Sequence, residues 1–251
     1  MFSDDTPERA SEFSETNYLV SISDLLLGLL FLFILLLVAL AFQYKITVDH
    51  YYRETESLRN EKERLTGAIR ARNGLLLKIQ EELNIKSLRG EQAEIDIEKG
   101  ILRLPEKMLF GSGEARLSPA AKETLEILAV SLSKHLPCYV AENPPEASPC
   151  LEKASVQLDT IFIEGHTDRL AISNQAFRNN WELSLWRAKT TYDELLSKTG
   201  VLKEFKNENG EPLFTFSAYA DTRPIYQGLD PGKLRRNRRI DIRFFVGAPR
   251  P

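Results

Sequence analysis

The sequence predicts an α+β protein carried on a single N-terminal transmembrane helix, and three observations predict it. One long apolar run lies near the N-terminus. A charged, proline-free stretch with apolar residues at helical spacing follows it. Beyond Gly90 the pattern changes to alternating apolar and polar residues broken by two amphipathic helices. Average composition conceals this segregation: 43% hydrophobic, 27% charged and a formal net charge of -3 leave no basic footprint for nucleic acid.

The run Leu25 to Phe42 is unbroken and apolar, close to the roughly 20 residues that a bilayer core requires. Ala39-Leu40-Ala41 resembles a signal cleavage site, but a signal needs a basic leading region. Here Asp4, Asp5, Glu8, Glu12 and Glu15 stand against Arg9 alone, so a retained span over 18–44 is expected, after a tail at 1–17. Asp24 lies inside the apolar stretch, where an ionisable side chain is costly and marks a functional site by default. The bland alternative is an interfacial charge favoured by the helix dipole.

Orientation signals conflict. Lys45, Arg53, Arg59, Lys62 and Arg64 follow the span, which by the positive-inside rule would keep the distal side in the cytoplasm. Cys138 and Cys150 instead read as a disulfide-closed excursion in a Pro-rich loop, the mark of an oxidising compartment, with two free thiols as the alternative.

From 45 to 92 a connecting helix is expected. Leu58, Leu65, Ile69, Leu76, Ile79 and Leu83 recur at three- and four-residue intervals, a short coiled-coil seam interrupted by Lys62 and Arg72. A single helix packed on something else is the alternative. Helical throughout, about 40 such residues would reach roughly 60 Å. Ile46, Val48, Tyr51 and Tyr52 form a short amphipathic stretch that suits a plug or, with Tyr44, an interfacial aromatic belt.

The distal domain, 93–248, begins with two alternating strands, Ala93–Ile97 and Ile101–Leu104, around a glycine turn. Ser118-Pro119 opens a helix with Leu125, Leu128, Ala129 and Leu132 on one face, and Pro137 closes it. A strand over Leu158–Ile163, a helix over Asn180–Lys198, and strands over Leu213–Tyr219 and Ile240–Val246 complete the order. That order predicts helices on one face of a small mixed sheet.

Three separated motifs then carry chemistry: Glu164-Gly165-His166-Thr167-Asp168 after a strand, Asn180-Trp181-Glu182-Leu183-Ser184-Leu185-Trp186-Arg187-Ala188 opening a helix, and Asn237-Arg238-Arg239-Ile240-Asp241-Ile242 near the end. In order and spacing they resemble the OmpA-like peptidoglycan-binding domain, over about Ile95 to Val246. The resemblance implies a βαβαββ domain in which Asp168 and Arg187 clamp the zwitterionic end of a diaminopimelate side chain, with Asn180 and Arg238 in support. The chemistry agrees, because such an end group needs a carboxylate for its ammonium and a guanidinium for its carboxylate. In isolation, Asp168 would read as a turn cap and Arg187 as a surface ion pair. The sequence departs from the family in a longer stretch between Asp168 and Arg187, and in Ser217-Ala218-Tyr219-Ala220-Asp221, where glycines are usual.

An aspartate-bearing span followed by an OmpA-like domain resembles the MotB-type stator subunits, and the acidic tail and long charged helix are most similar to their ZorB branch in Zorya anti-phage defence. The resemblance implies a homodimer within a pentameric, polytopic MotA- or ZorA-like partner. Asp24 would be the proton carrier beside Ser21 or Ser23, the N-terminus cytoplasmic and the distal domain periplasmic at the inner membrane. Protons are the transported ion, and no cofactor, metal or nucleic acid is expected. His166 reads as a structural donor, and no arrangement for a wall-cleaving enzyme appears.

Overall fold

The computed structural model describes residues 8–86, 92–140, 142–150, 153–154 and 157–247. Expectations falling on 1–7, on 87–91 of the connecting stretch, and on 248 at the domain's end lie outside them. The chain divides into two compact units, Met1–Asn60 and Glu61–Pro251.

In the first unit, helix α1 (Glu8–Lys86) begins and contains the apolar run. Its most apolar 18-residue window has mean hydropathy 3.2 and no residue buried in protein. A helix apolar on every side and uncovered is the pattern of a membrane span rather than of a packed stripe. Asp24, Ser21 and Ser23 are exposed on it.

In the second unit the same helix behaves differently. Ala68, Leu75, Leu76, Ile79 and Leu83 are all but fully buried, the last four in one core with Ala93, Leu102 and Leu104. This corrects the coiled-coil reading: the distal half of the seam is domain core, whereas Leu58, Leu65 and Ile69 are exposed. Arg72, which interrupts the seam, is also explained. Its Nη2 donates to Ile97 O at 3.0 Å, and its guanidinium lies against Gly100, whose φ is +69°. A Cβ there would stand 2.6 Å from Arg72 Cζ, so glycine suits that left-handed turn and leaves room for the guanidinium. Gln80 Nε2 donates to Ala93 O, and Asn84 Oδ1 accepts from Ala93 N.

Strands β1 (Glu94–Asp96), β2 (Ile101–Pro105), β3 (Leu158–His166), β4 (Phe214–Ala220) and β5 (Arg239–Val246) form one sheet. Their order is β1-β2-β5-β3-β4, with β3 and β4 parallel and the other pairs antiparallel. The period of two turns Leu102, Leu104, Ile161, Ile163, Ile240 and Ile242 into the core. Arg103, Glu164, His166, Arg239, Asp241 and Arg243 point to the opposite face.

Helix α2 (Glu106–Leu109) follows β2 directly. Helix α3 (Pro119–His135) starts where expected, with Ser118 Oγ accepting from Ala121 N, and ends in a 3-10 turn through Pro137. Helix α4 (Asn180–Lys198) is capped by Asn179, whose side chain accepts from Glu182 N. Helix α5 (Pro231–Asn237) was not expected; Asp230 caps it and Pro231 occupies its first turn. Cys138 and Cys150 are joined in a disulfide.

Candidate functional site

The three motifs converge on one edge of the sheet, where β2 and β3 end and β5 begins. Gly165 makes this possible. A Cβ there would meet Ser184 O at 2.0 Å, so α4 lies directly on β3 at the point where the motifs meet. Ser184, fully buried, donates from Oγ to Trp181 O and accepts from Ala220 N, linking α4 to β4.

That link sits at a strained residue. Ala220 adopts φ 47°, beside a register shift between Gly165 and His166. This is the stretch where glycine was expected by resemblance, and the backbone keeps the left-handed turn although the side chain is alanine.

Asp168, Asn180, Arg187 and Arg238 are brought together, with Glu106 between them. Asp168, 5% exposed, accepts from Leu170 N through Oδ1 and from Arg238 Nη1 through Oδ2. It is therefore both a turn cap and a member of the cluster. Asn180 Nδ2 donates to Asp168 O and Leu170 O, closing the loop after β3. Arg187 is 1% exposed. Its Nε donates to Glu114 O at 2.7 Å, and its Nη2 donates to Glu106 Oε1 and to Gly111 O. Arg187 is thus a buried residue whose guanidinium is already engaged, rather than the surface ion pair of the bland alternative.

Glu106 was not singled out from sequence. Its Oε1 accepts from Arg187 and its Oε2 from Arg238 Nε, so one carboxylate bridges both guanidinium groups. Four formal charges, two of each sign, meet in a largely dehydrated space. Burial pulls the Arg187 guanidinium down from its ordinary value, while Asp168 and Glu106 more than offset burial at Arg238 and raise it. Both arginines stay cationic at neutral pH. The Arg187 Nη1 group is buried with no acceptor, an unspent donor within the cluster.

The alternate residues of the same motifs build a second network on the opposite sheet face. Arg243 holds Glu164 through two bonds of 2.8 Å, and Asp241 accepts from Arg103 and Arg239. Burial pushes Glu164 up, but His166 and Arg243 beside it reverse the effect and hold it at about 2. His166 stacks on Tyr219 at 5.4 Å, and burial lowers its pKa. Its Nε2 stands 3.6 Å from Asp241 and 3.7 Å from Glu164, and neither ring nitrogen makes a hydrogen bond. The structural-donor reading of His166 is therefore replaced by a stacking role. Glu164, His166 and Asp241 are close enough together to ligate a cation, but three guanidinium groups already occupy the carboxylates and oppose a further positive charge.

Asn237 explains the third motif's first residue. Its Oδ1 accepts from Ile225 N and Tyr226 N and its Nδ2 donates to Tyr226 O, which fixes the segment before Arg238.

Comparison with known proteins finds relatives along the chain and a family for the distal domain. Uncharacterized protein YtxE of Bacillus subtilis (strain 168) is 26% identical over 245 residues, covering 91% of this chain and 88% of that one. Motility protein B of the same organism is 26% identical over 179 residues, 65% of this chain and 56% of its own length. The crystal structure of a MotB-like protein from Desulfovibrio vulgaris superposes with TM-score 0.53 at 20% identity, over 74% of this chain and 99% of that one, which shows a shared fold. The OmpA family matches residues 109–238, more than half of the sequence, with Glu164, His166, Asp168, Asn180, Arg187 and Arg238 inside the match and Arg103, Glu106, Arg239, Asp241 and Arg243 outside it, and the chain belongs to that family.

Proposed function

We propose that the chain is a MotB-like subunit of a proton-driven rotary motor in the bacterial inner membrane, anchored to peptidoglycan, and that it is the ZorB component of a Zorya anti-phage system. The observation that carries the anchoring role is the cluster of Asp168, Arg187, Arg238 and Glu106. It offers a carboxylate to an ammonium and guanidinium donors to a carboxylate within one dehydrated site. A diaminopimelate end group presents that pair. Similarity to motility protein B supports the stator role, and since the chain spans 56% of that relative's length its motor activity belongs to the proposal.

The motor role rests on Asp24, a carboxylate on an uncovered apolar helix. In this reading two copies sit within a pentameric, polytopic partner, and Asp24 takes up and releases the proton. The N-terminus is cytoplasmic and the distal domain periplasmic, consistent with the disulfide. The ZorB assignment draws on layout, a short acidic leading stretch and a long charged helix. A flagellar-type stator subunit shares the same chemistry. A passive wall tether, in which the span only anchors the wall-binding domain, is the alternative of a different class.

Asp24→Asn is expected to abolish phage protection in cells while leaving membrane level and partner pull-down unchanged; full protection by this variant removes proton coupling. For the anchor, residues 61–251 are sedimented with purified peptidoglycan. Asp168→Asn is expected to lower the bound fraction severalfold, and equal sedimentation removes Asp168 from the site.

A further inference from the structure

A bare pair of guanidinium groups would accept almost any carboxylate. The pair here is not bare: Glu106, 4% exposed, lies between Arg187 and Arg238 and accepts from both. We propose that Glu106 determines the specificity of the site, acting as a carboxylate of the chain itself that admits an end group bearing both ammonium and carboxylate and rejects a carboxylate alone. The inference rests on the wall-binding reading and deepens it.

The physical reason is charge balance in a dehydrated cluster. Arg187 and Arg238 are already matched by Glu106 and Asp168, so the formal sum is zero. A lone carboxylate would bring a fifth, uncompensated charge beside two carboxylates, where repulsion is poorly screened. A zwitterionic end group leaves the sum unchanged. Its carboxylate finds donors the protein does not use: Arg187 Nη1 is buried without an acceptor, and Arg238 makes its bonds through Nε and Nη1. Its ammonium finds Asp168 and Glu106, which make no other charged contact among the described residues. Specificity then comes from a repulsive element built into the site as much as from an attractive one. Glu106 faces the ligand's ammonium as well as both guanidinium groups, so it is a specificity residue that acts through its charge.

The test compares meso-diaminopimelate with pimelate, a dicarboxylate of the same chain length without amines, binding to the full chain in detergent by calorimetry. Wild type is expected to prefer diaminopimelate by about tenfold or more, and Glu106→Gln to narrow that preference by about tenfold, chiefly through tighter pimelate binding. An unchanged preference in a folded Glu106→Gln chain, or an equal loss of both ligands, overturns the proposal. Failure of wild type to bind diaminopimelate overturns the wall-binding reading itself, and the specificity claim with it. Should Glu106→Gln not fold, the wild-type chain decides alone: acetate in large excess must leave diaminopimelate binding unchanged, and competition by acetate overturns the proposal.

Discussion

Two arginine–carboxylate networks lie on this sheet, built largely from alternate residues of the same motifs, and they differ in what anchors their residues. On the outer face, Glu164 and Asp241 are held by Arg243, Arg239 and Arg103, all anchored on strands. At the edge, Asp168, Glu106, Arg187 and Arg238 come from four segments, most of them just beyond strand ends. Arg187 there retains a buried N–H group without an acceptor, whereas the unpartnered buried nitrogens of the outer face belong to His166. A network anchored on strands fixes a structure; one assembled from segments beyond the strand ends, with a buried arginine N–H group lacking an acceptor, can recognise a ligand.

The largest effect that sharpens this contrast is expected from Arg187→Ala. It strands Glu106 as a buried carboxylate with one remaining cation, and breaking such a pair costs about 3–5 kcal/mol, to be read from denaturant unfolding of residues 61–251. Wild-type stability in that variant would break the comparison, because the edge cluster would then contribute nothing to the fold.

Acid separates the networks next. Glu164 is held at about 2, below its usual carboxylate value of 4.5. Its folded-state pKa is depressed, so its contribution is fully present above about pH 4.5 and is lost as pH falls toward 2. Glu164→Gln is expected to be less stable than wild type at neutral pH, with the gap closing over that window. A gap independent of pH would show that Glu164 is not held by charge. His166 acts in the same direction at higher pH. Its lowered folded value means that stability declines as pH drops below about 6.5.

The smallest effect belongs to the link between α4 and β4. Ala220 holds a left-handed backbone at φ 47°, and Ala220→Gly is expected to raise stability by about 0.5–1 kcal/mol. A loss of stability instead would mean that the alanine methyl, 1% exposed as a residue, packs well enough to outweigh the strain.

Much of the fold was legible in residue order. The helices opened by Ser118-Pro119 and by Asn180, and every strand, lie where alternation and capping residues placed them, within a few residues. Strand β3 runs three residues further than its apolar pattern because Glu164, Gly165 and His166 are buried for reasons other than hydrophobicity. Helix α5 was missed because seven residues show no period, although Asp230-Pro231 is a helix-opening pair. The seam on α1 was misassigned because three- and four-residue spacing describes a stripe without naming what covers it.

Sequence by itself determined the apolar span with Asp24, since hydropathy and length are local properties, while the meeting of Asp168, Asn180, Arg187 and Arg238 was implied only by resemblance to the OmpA-like domain. Only the tertiary structure decided that Leu76, Ile79 and Leu83 belong to the domain core, that Arg238 and Arg239 serve different networks, and that Glu106 bridges the two arginines of the site. Those are contacts between segments 81 and 132 residues apart in the case of Glu106. Distances of that kind are set by how closely α4 can approach β3 at Gly165, which no local pattern records.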